Sequence, residues 1–362
     1  MTMSVKEIVG NYGSAVQTKG FLSETSSTNL CYYSEIFDNT LSANKWVSTA
    51  ATITSNAALA PDNTFTADKF NETVAAQQHY ITQLVTTSGG VITGSFYAKA
   101  AERSILLVQF SGPYVAVDLI TGICGPVLGG GGAAKSEYVG NGWWRISLYV
   151  TASGGASIFV ASTATGTVSS PVYTHAGTGT SGVYLWGAQV EAGYVATSYM
   201  PTTTGTASRA ATELKYPVSG NLPVNDFCVY CEVTFNTVPI ASTYPTFVFC
   251  FDTNQGISIY YEGGEFRAYR HVVGNAVVKA VAILPGTVYK VLVKFSSVTG
   301  TTLYVNGLTS FPNAVATNIT WPYANFWLMS NFAAQFNPYA FIENTKIYAS
   351  ALTDAECLAL TL

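Results

Sequence analysis

Cys228-Val-Tyr-Cys231 has the spacing of a metal knuckle or a redox pair, chemistry that needs both sulfurs to converge as they do in a turn or at a helix start. Phe227, Val229, Cys231, Val233 and Phe235 alternate with Cys228, Tyr230, Glu232 and Thr234, so the segment reads as a strand with its two thiols on opposite faces. No second Cys pair or adjacent His completes four ligands. The run Gly125-Pro-Val-Leu-Gly-Gly-Gly-Gly-Ala-Ala-Lys135 lacks the Gly-Lys-Ser/Thr ending of a phosphate cradle and reads as a flexible loop. His79, His175 and His271 stand in no nucleophile-elbow or zinc pattern. Glycosidases need paired carboxylates, and no Glu-x-Asp-x-x-Glu arrangement occurs. Glu262 and Glu265 are paired, but at an expected hairpin tip, where water screens them. Hydrolysis is therefore not expected, and neither catalytic residues nor a cofactor are assigned. No metal site is assigned either. A Ca²⁺ ion would draw on Asp252, Asn254 or the two glutamates, because hard cations take loop oxygens.

What remains is aromatic: 23 Tyr, 19 Phe and 6 Trp in a chain with only 10% charged residues. Many of these rings must be core, but a flat apolar face with a polar tip also suits stacking on a sugar ring. The candidate ligand-binding residues are Tyr32, Tyr33 and Trp144 in the first half of the chain and Tyr260 with Arg267 in the second. Tyr260 and Arg267 should face each other across a hairpin about Gly263-Gly264, giving a stacking face beside a forked donor. The competing reading of that pair is a plain cross-strand cation–π contact.

These residues must be positioned by strands. A chain of 362 residues exceeds the roughly 250–300 residues of a single core, so two domains are expected. Residues 29–200 are strand-sized apolar runs between Thr, Ser, Asn and Gly, without a sustained helical stripe. Residues 201–211 have nothing large to bury and read as a link. Further on, Tyr289, Val291, Val293 and Phe295 point inward on a second hairpin, which returns through Leu303 and Val305. Thr353 and Glu356 form a capping box for a closing helix from Asp354 to Leu360. The expected fold is all-β: two tandem β-sandwich (jelly-roll) domains with a short N-terminal arm. The arm spans 1–25 and opens with a capping box of Ser4 and Glu7. The first sandwich spans 26–203, a linker 204–213 and the second sandwich 214–362.

The 16 basic residues against 20 acidic ones leave no basic footprint for a phosphate backbone, so nucleic acid is excluded as a partner. No apolar run reaches the roughly 20 residues of a bilayer helix, and no membrane insertion is expected. The start Met1-Thr2-Met3-Ser4-Val5-Lys6-Glu7 lacks a secretory pattern, which implies folding in the cytoplasm where the chain is made. The six scattered cysteines read as buried small hydrophobes, not as a disulfide framework.

An ordered series of motifs extends this reading. Asn29-Leu-Cys-Tyr-Tyr-Ser-Glu-Ile-Phe-Asp38 with Trp46 comes first, followed by Ala60-Pro-Asp-Asn-Thr-Phe-Thr-Ala-Asp68, Phe96-Tyr-Ala-Lys-Ala100 and Gly140-Asn-Gly-Trp-Trp-Arg145. Gly182-Val-Tyr-Leu-Trp-Gly-Ala-Gln-Val-Glu-Ala-Gly193 and Ala196-Thr-Ser-Tyr-Met-Pro-Thr202 close it. Together they resemble the carbohydrate-binding-module-like jelly-roll domain of phage tail and other virion proteins over about 170 residues. Leu303-Tyr-Val-Asn-Gly307 and Lys346-Ile-Tyr-Ala-Ser-Ala-Leu-Thr-Asp-Ala-Glu356 make the block from Leu214 to Leu362 similar to a concanavalin A-like, laminin-G-like sandwich. The resemblance implies a non-enzymatic bacteriophage structural protein, a tail or head fibre whose partners are host cell-surface glycan and, through the N-terminal arm, other virion proteins. It implies localisation in the virion and a homo-oligomer, with a trimer favoured by analogy with phage fibres. The alternative is a structural or decoration protein without specific sugar binding, and a polysaccharide depolymerase ranks below both, since the acid pair of the family's glucanase branch is missing. Gly182 to Gly193 reads as buried strand, because Val183, Leu185 and Trp186 are apolar on both faces.

Overall fold

The computed structural model describes residues 21–38, 46–220, 222, 226–236, 246–250, 257–270, 275–310, 324–329 and 340–362. The arm's capping box at Ser4 and Glu7, His271, Asp252 and Asn254 lie outside the described residues. Among the described residues the regular structure is strand apart from the helix Asp354–Thr361, and every strand pairing is antiparallel. It divides into an N-terminal unit, Ser27–Arg209, and a C-terminal unit made of Ala210–Leu362 and residues 21–26.

Two six-stranded sheets form the N-terminal unit. Sheet I runs Tyr114–Asp118, Ile105–Phe110, Gly155–Thr167, Tyr80–Thr87 and Val47–Thr49, with Ser170–Val172 paired to its long central strand. Sheet II runs Ala133–Gly140, Trp143–Ala152, Gly90–Ala100, Gly182–Ala192, Ala67–Glu72 and Ala51–Ala58. Ile81, Val85, Leu106, Val108, Phe110 and Phe159 of sheet I share one buried cluster with Phe70, Ile92, Phe96, Ile146, Leu148 and Val150 of sheet II. This is the period-two alternation of two sheets packed face to face. Trp46 fills the centre, 5.1 Å from the Phe37 ring and 5.5 Å from that of Phe96. Gly182–Ala192 is buried on both faces, as the sequence indicates.

Sheets III and IV form the C-terminal unit. Sheet III runs Phe21–Ser23, Ala340–Tyr348, Phe227–Phe235, Val288–Ser296, Gly300–Val305 and Leu308–Thr309; sheet IV runs Leu214–Pro217, Asn325–Leu328, Thr246–Cys250, Ile257–Glu262, Glu265–Arg270 and Asn275–Ala280. Cys231 lies in the core between these sheets, whereas Cys228 lies on the other face of sheet III beneath the closing helix, with Tyr304 and Cys357. The opposed faces expected of the Cys-x-x-Cys segment are thus observed. The helix begins with the expected capping box: Glu356 N donates to Thr353 Oγ1, and Thr353 N donates to Glu356 Oε2. Asp354 in the first turn pairs with Lys294 on the sheet below, tying the helix down.

Three expectations are corrected. The arm ends before residue 25, because Phe21–Ser23 is the edge strand of sheet III, in register with Ala340–Ile342. A run of three residues is too short to carry a periodic signal, so its pairing more than 300 positions away could not be read. The expected linker contains the strand Ala207–Arg209, which pairs with Ser27–Asn29. The Gly-rich run is anchored rather than free, through bridges from Leu128 to Tyr114 and from Cys124 to Val117.

A fragment 27–209 should therefore melt cooperatively on its own. A fragment 210–362 should melt below the same fragment carrying residues 21–26, because it loses an edge strand, the bond from Ser23 Oγ to Met329 O (3.1 Å) and that from Glu24 N to Thr212 Oγ1 (3.0 Å). At about 1 kcal/mol per hydrogen bond the loss is roughly 2–4 kcal/mol, which paired thermal melts would read. Equal melting of the two C-terminal fragments would show that the edge strand contributes nothing.

Candidate functional site

Strand Trp143–Ala152 sends Ile146, Leu148 and Val150 into the core, so Trp143, Arg145, Ser147 and Tyr149 fall on the opposite, outer face of sheet II. Register extends that face across the sheet. Arg145 lies between Glu137 and Tyr97, and Tyr97 lies beside Trp186; one row further, Trp143 aligns with Lys99 and Tyr184. An outer face of a sandwich ordinarily alternates to small polar residues. Here it carries rings.

Tyr97 stands edge-on to Trp186 at 5.3 Å and to Tyr199 at 5.9 Å, and Trp186 and Tyr199 are 4.6 Å apart. Both indole N–H groups are used: Trp143 Nε1 donates to Leu59 O (3.1 Å) and Trp186 Nε1 to Thr66 Oγ1 (3.0 Å). Trp143 and Trp186 are buried in this second small core, and Tyr97, Tyr184 and Tyr199 are partly buried against it. Further along the same strand, Tyr149 meets Tyr194 edge-on at 5.3 Å, and Tyr194 is exposed. The Arg145 guanidinium lies over the Tyr97 ring, 5.2 Å from its centroid.

One acid borders this face with a shifted pKa. Burial pushes the Glu35 carboxyl above its ordinary range, a bond donated by Tyr199 Oη (3.1 Å) opposes the shift, and the charge of Asp62 adds to it. Asp62 itself caps a turn, accepting from Thr64 N (3.0 Å) and Thr64 Oγ1 (2.7 Å).

The five residues expected to touch ligand are dispersed. Tyr33 is buried, with a positive φ of 50° and its carbonyl accepting from Trp46 Nε1, so it offers no face to a ligand and that expectation is corrected. Tyr32 packs against the core, its main chain held at both N–H and C=O by the Gln83 amide. Trp144 shares the inward parity of Ile146; it packs at the end of the core against Tyr138, with ring centroids 5.0 Å apart. Gly122 lies on this indole so closely that a Cβ there would come within 2.2 Å of two ring carbons. In the C-terminal unit, Tyr260 and Arg267 do face each other on adjacent strands, and Gly263 and Gly264 both have the positive φ that a primed turn requires. The fork is not free, however. Arg267 Nη1 pairs with Glu262 (2.9 Å) and Nη2 with Glu265 (3.1 Å), so these glutamates are ion-paired rather than merely water-screened. Among the described residues no cluster of three or more His, Cys, Asp or Glu side chains could hold a metal ion.

The outer face of sheet II escaped the sequence reading although its signal was present. In Trp143–Ala152 the alternation of Ile146, Leu148 and Val150 assigns Trp144 to the core side and Arg145 and Tyr149 to the other. Tyr97 and Tyr194 become neighbours of that strand only through pairing and loop closure, which one sequence does not show.

No family model matches the chain, and no curated protein matches it. Solved structures similar to it include domain 4 of AbnA, a GH43 extracellular arabinanase from Geobacillus stearothermophilus, in complex with arabinotriose (19% identity, 44% of this chain and 77% of that one, TM-score 0.35). The receptor-binding domain of botulinum neurotoxin C/D mosaic serotype is another, at 9% identity over 42% of this chain and 40% of that one, TM-score 0.35. A third is a native heptameric SAP-like pentraxin from Limulus polyphemus, at 15% identity over 41% and 75%, TM-score 0.32. The chain thus covers less than half of the botulinum structure it matches.

Proposed function

We propose that the chain is a non-enzymatic glycan-binding protein of a bacteriophage virion, and that the outer face of sheet II makes the contact. The observation that carries the reading is the exposed Tyr194 with Tyr149 against it, on the same face as the partly buried Tyr97, Tyr184 and Tyr199, where solvent alone would leave polar residues. Flat rings with polar tips stack on sugar rings and keep their hydroxyls wet. The virion assignment rests on the ordered motif series in 29–202, and with it stand attachment through the segment before Phe21 and a trimeric assembly. A single site of this kind holds sugar weakly, and a millimolar constant corresponds to only about 4 kcal/mol. Linked copies raise apparent affinity by roughly 10² to 10⁴ when the sites engage together.

Host-cell binding by the intact protein tests this placement. Tyr149→Ser with Tyr194→Ser should reduce binding at least tenfold with unchanged melting, whereas Tyr260→Ala with Arg267→Ala, whose guanidinium already serves two carboxylates, should leave it intact. Full binding by the first variant and loss by the second would move the site to the C-terminal unit. Incubation with host polysaccharide should release no reducing ends. Steady release abolished by Glu35→Gln would instead favour a hydrolase.

A further inference from the structure

We propose that the glycan contacted by sheet II is anionic, and that Arg145 is the residue that binds its carboxylate. This rests on the glycan-binding reading and specifies the ligand. Among the described residues no carboxylate answers the charge of Arg145. Of its five N–H groups, Nη2 donates to Ser95 Oγ at 3.3 Å, and Nε is buried with no partner. Leaving a buried donor unmade is unfavourable, but Arg267 Nε is unpaired too, so what sets Arg145 apart is the lack of a carboxylate on its fork. Glu137 lies directly across on the neighbouring strand, yet its carboxylate is shared with Lys135 (3.4 Å) and not with Arg145. Arg103 and Arg267, by contrast, are each clamped by carboxylates.

The Tyr97 ring beneath the guanidinium attracts it without neutralising it. Lys99, two residues along the same face of the strand as Tyr97, adds a second cation that has no ion pair among the described residues. Tyr149, four residues from Arg145 on the same strand face, stands about 13 Å away and meets the exposed Tyr194, so a ring platform and a planar fork lie on one line. A guanidinium presents two parallel donors to a carboxylate, which a neutral sugar cannot use as well. The ligand class that fits is an oligosaccharide bearing a uronic or sialic acid.

The test is calorimetric titration of the full chain with tetragalacturonate and with 3′-sialyllactose, each against its methyl ester, which differs only in lacking the charge. The natural protein should bind at least one acid at least tenfold more tightly than its ester, and more weakly as salt is raised. Which of the two acids binds distinguishes a uronic from a sialic source. Arg145→Gln should remove the preference, Arg145→Lys should keep part of it, and Glu137→Gln should strengthen it by removing a competing negative charge. The last variant has a sign that a purely structural role for Arg145 does not predict, and it decides the matter if Arg145→Gln fails to fold. Equal binding of acid and ester, or a preference that survives Arg145→Gln, would overturn the inference while leaving the glycan reading standing. Binding of none of the four probes would overturn it as well, and a blank glycan array would then remove the glycan reading separately.

Discussion

Glu191→Ala should lower the stability of the N-terminal unit by about 3–5 kcal/mol, the usual consequence of breaking a buried, charged network from one side. The Glu191 carboxylate is fully buried and accepts from Ser27 Oγ (2.5 Å), Gln189 Nε2 (2.6 Å), Thr197 N (2.7 Å) and Thr197 Oγ1 (2.6 Å). Gln189 in turn accepts from Met200 N (2.8 Å), and the Asn29 amide donates to Ala188 O (3.0 Å) and Met200 O (2.9 Å). The segment after strand Gly182–Ala192 is thus fastened back onto it by polar side chains. Urea unfolding followed by tryptophan fluorescence should show the loss, and limited proteolysis should cut near Tyr194 in the variant. A loss under 1 kcal/mol would mean that these residues serve something other than the fold.

Arg103→Ala should be about as costly, roughly 3–5 kcal/mol at neutral pH, because it strands the Glu72 carboxylate in the interior. Arg103 donates to Glu72 through Nε and Nη2, both at 2.8 Å, and His175 Nε2 lies 2.9 Å from the same carboxylate. Burial alone would raise the Glu72 pKa, but the hydrogen bonds from Arg103 and His175 and the Arg103 charge outweigh it and hold the pKa below its ordinary value of 4.5. A depressed acid contributes stability that is present above its unfolded pKa and lost as pH falls through the folded value. The natural protein should therefore lose this contribution only below about pH 4.5. In Arg103→Ala burial acts with its main counterweight gone, so protonation relieves the variant, and the gap between the two proteins should shrink as pH falls from 7 towards 4. Chemical denaturation across that range reads the gap. A gap independent of pH would show that Arg103 acts by packing alone.

Much of the fold was legible because strands announce themselves by alternation. Phe227 to Phe235, the hairpin about Gly263-Gly264 and the box of Thr353 with Glu356 all stand where the sequence puts them. What could not be read was distant pairing: Phe21–Ser23 with Ala340–Ile342, and Ala207–Arg209 with Ser27–Asn29. The motif series turned out to be a record of packing. Trp46, Phe96, Trp143, Gln189 and Glu191 are buried, and Asn29 and Glu191 spend their side chains on main chain and neighbours. Such residues identify an architecture but offer a ligand nothing. The exceptions in the series are Tyr97, Tyr184 and Tyr199, which lie on the outer face, and Arg145, whose charge meets no carboxylate among the described residues. The candidate site was therefore missed by counting rings instead of assigning them to faces: Tyr33 and Trp144 belong to the core side, and Tyr149 does not.

The central claim is that the outer face of sheet II binds glycan. A glycan array probed with the intact protein and with Tyr149→Ser plus Tyr194→Ser tests it most directly. The account predicts a defined set of bound glycans for the natural protein and loss of that set in a variant that melts at the same temperature. A blank array for the natural protein, or an unchanged pattern in the variant, would contradict it.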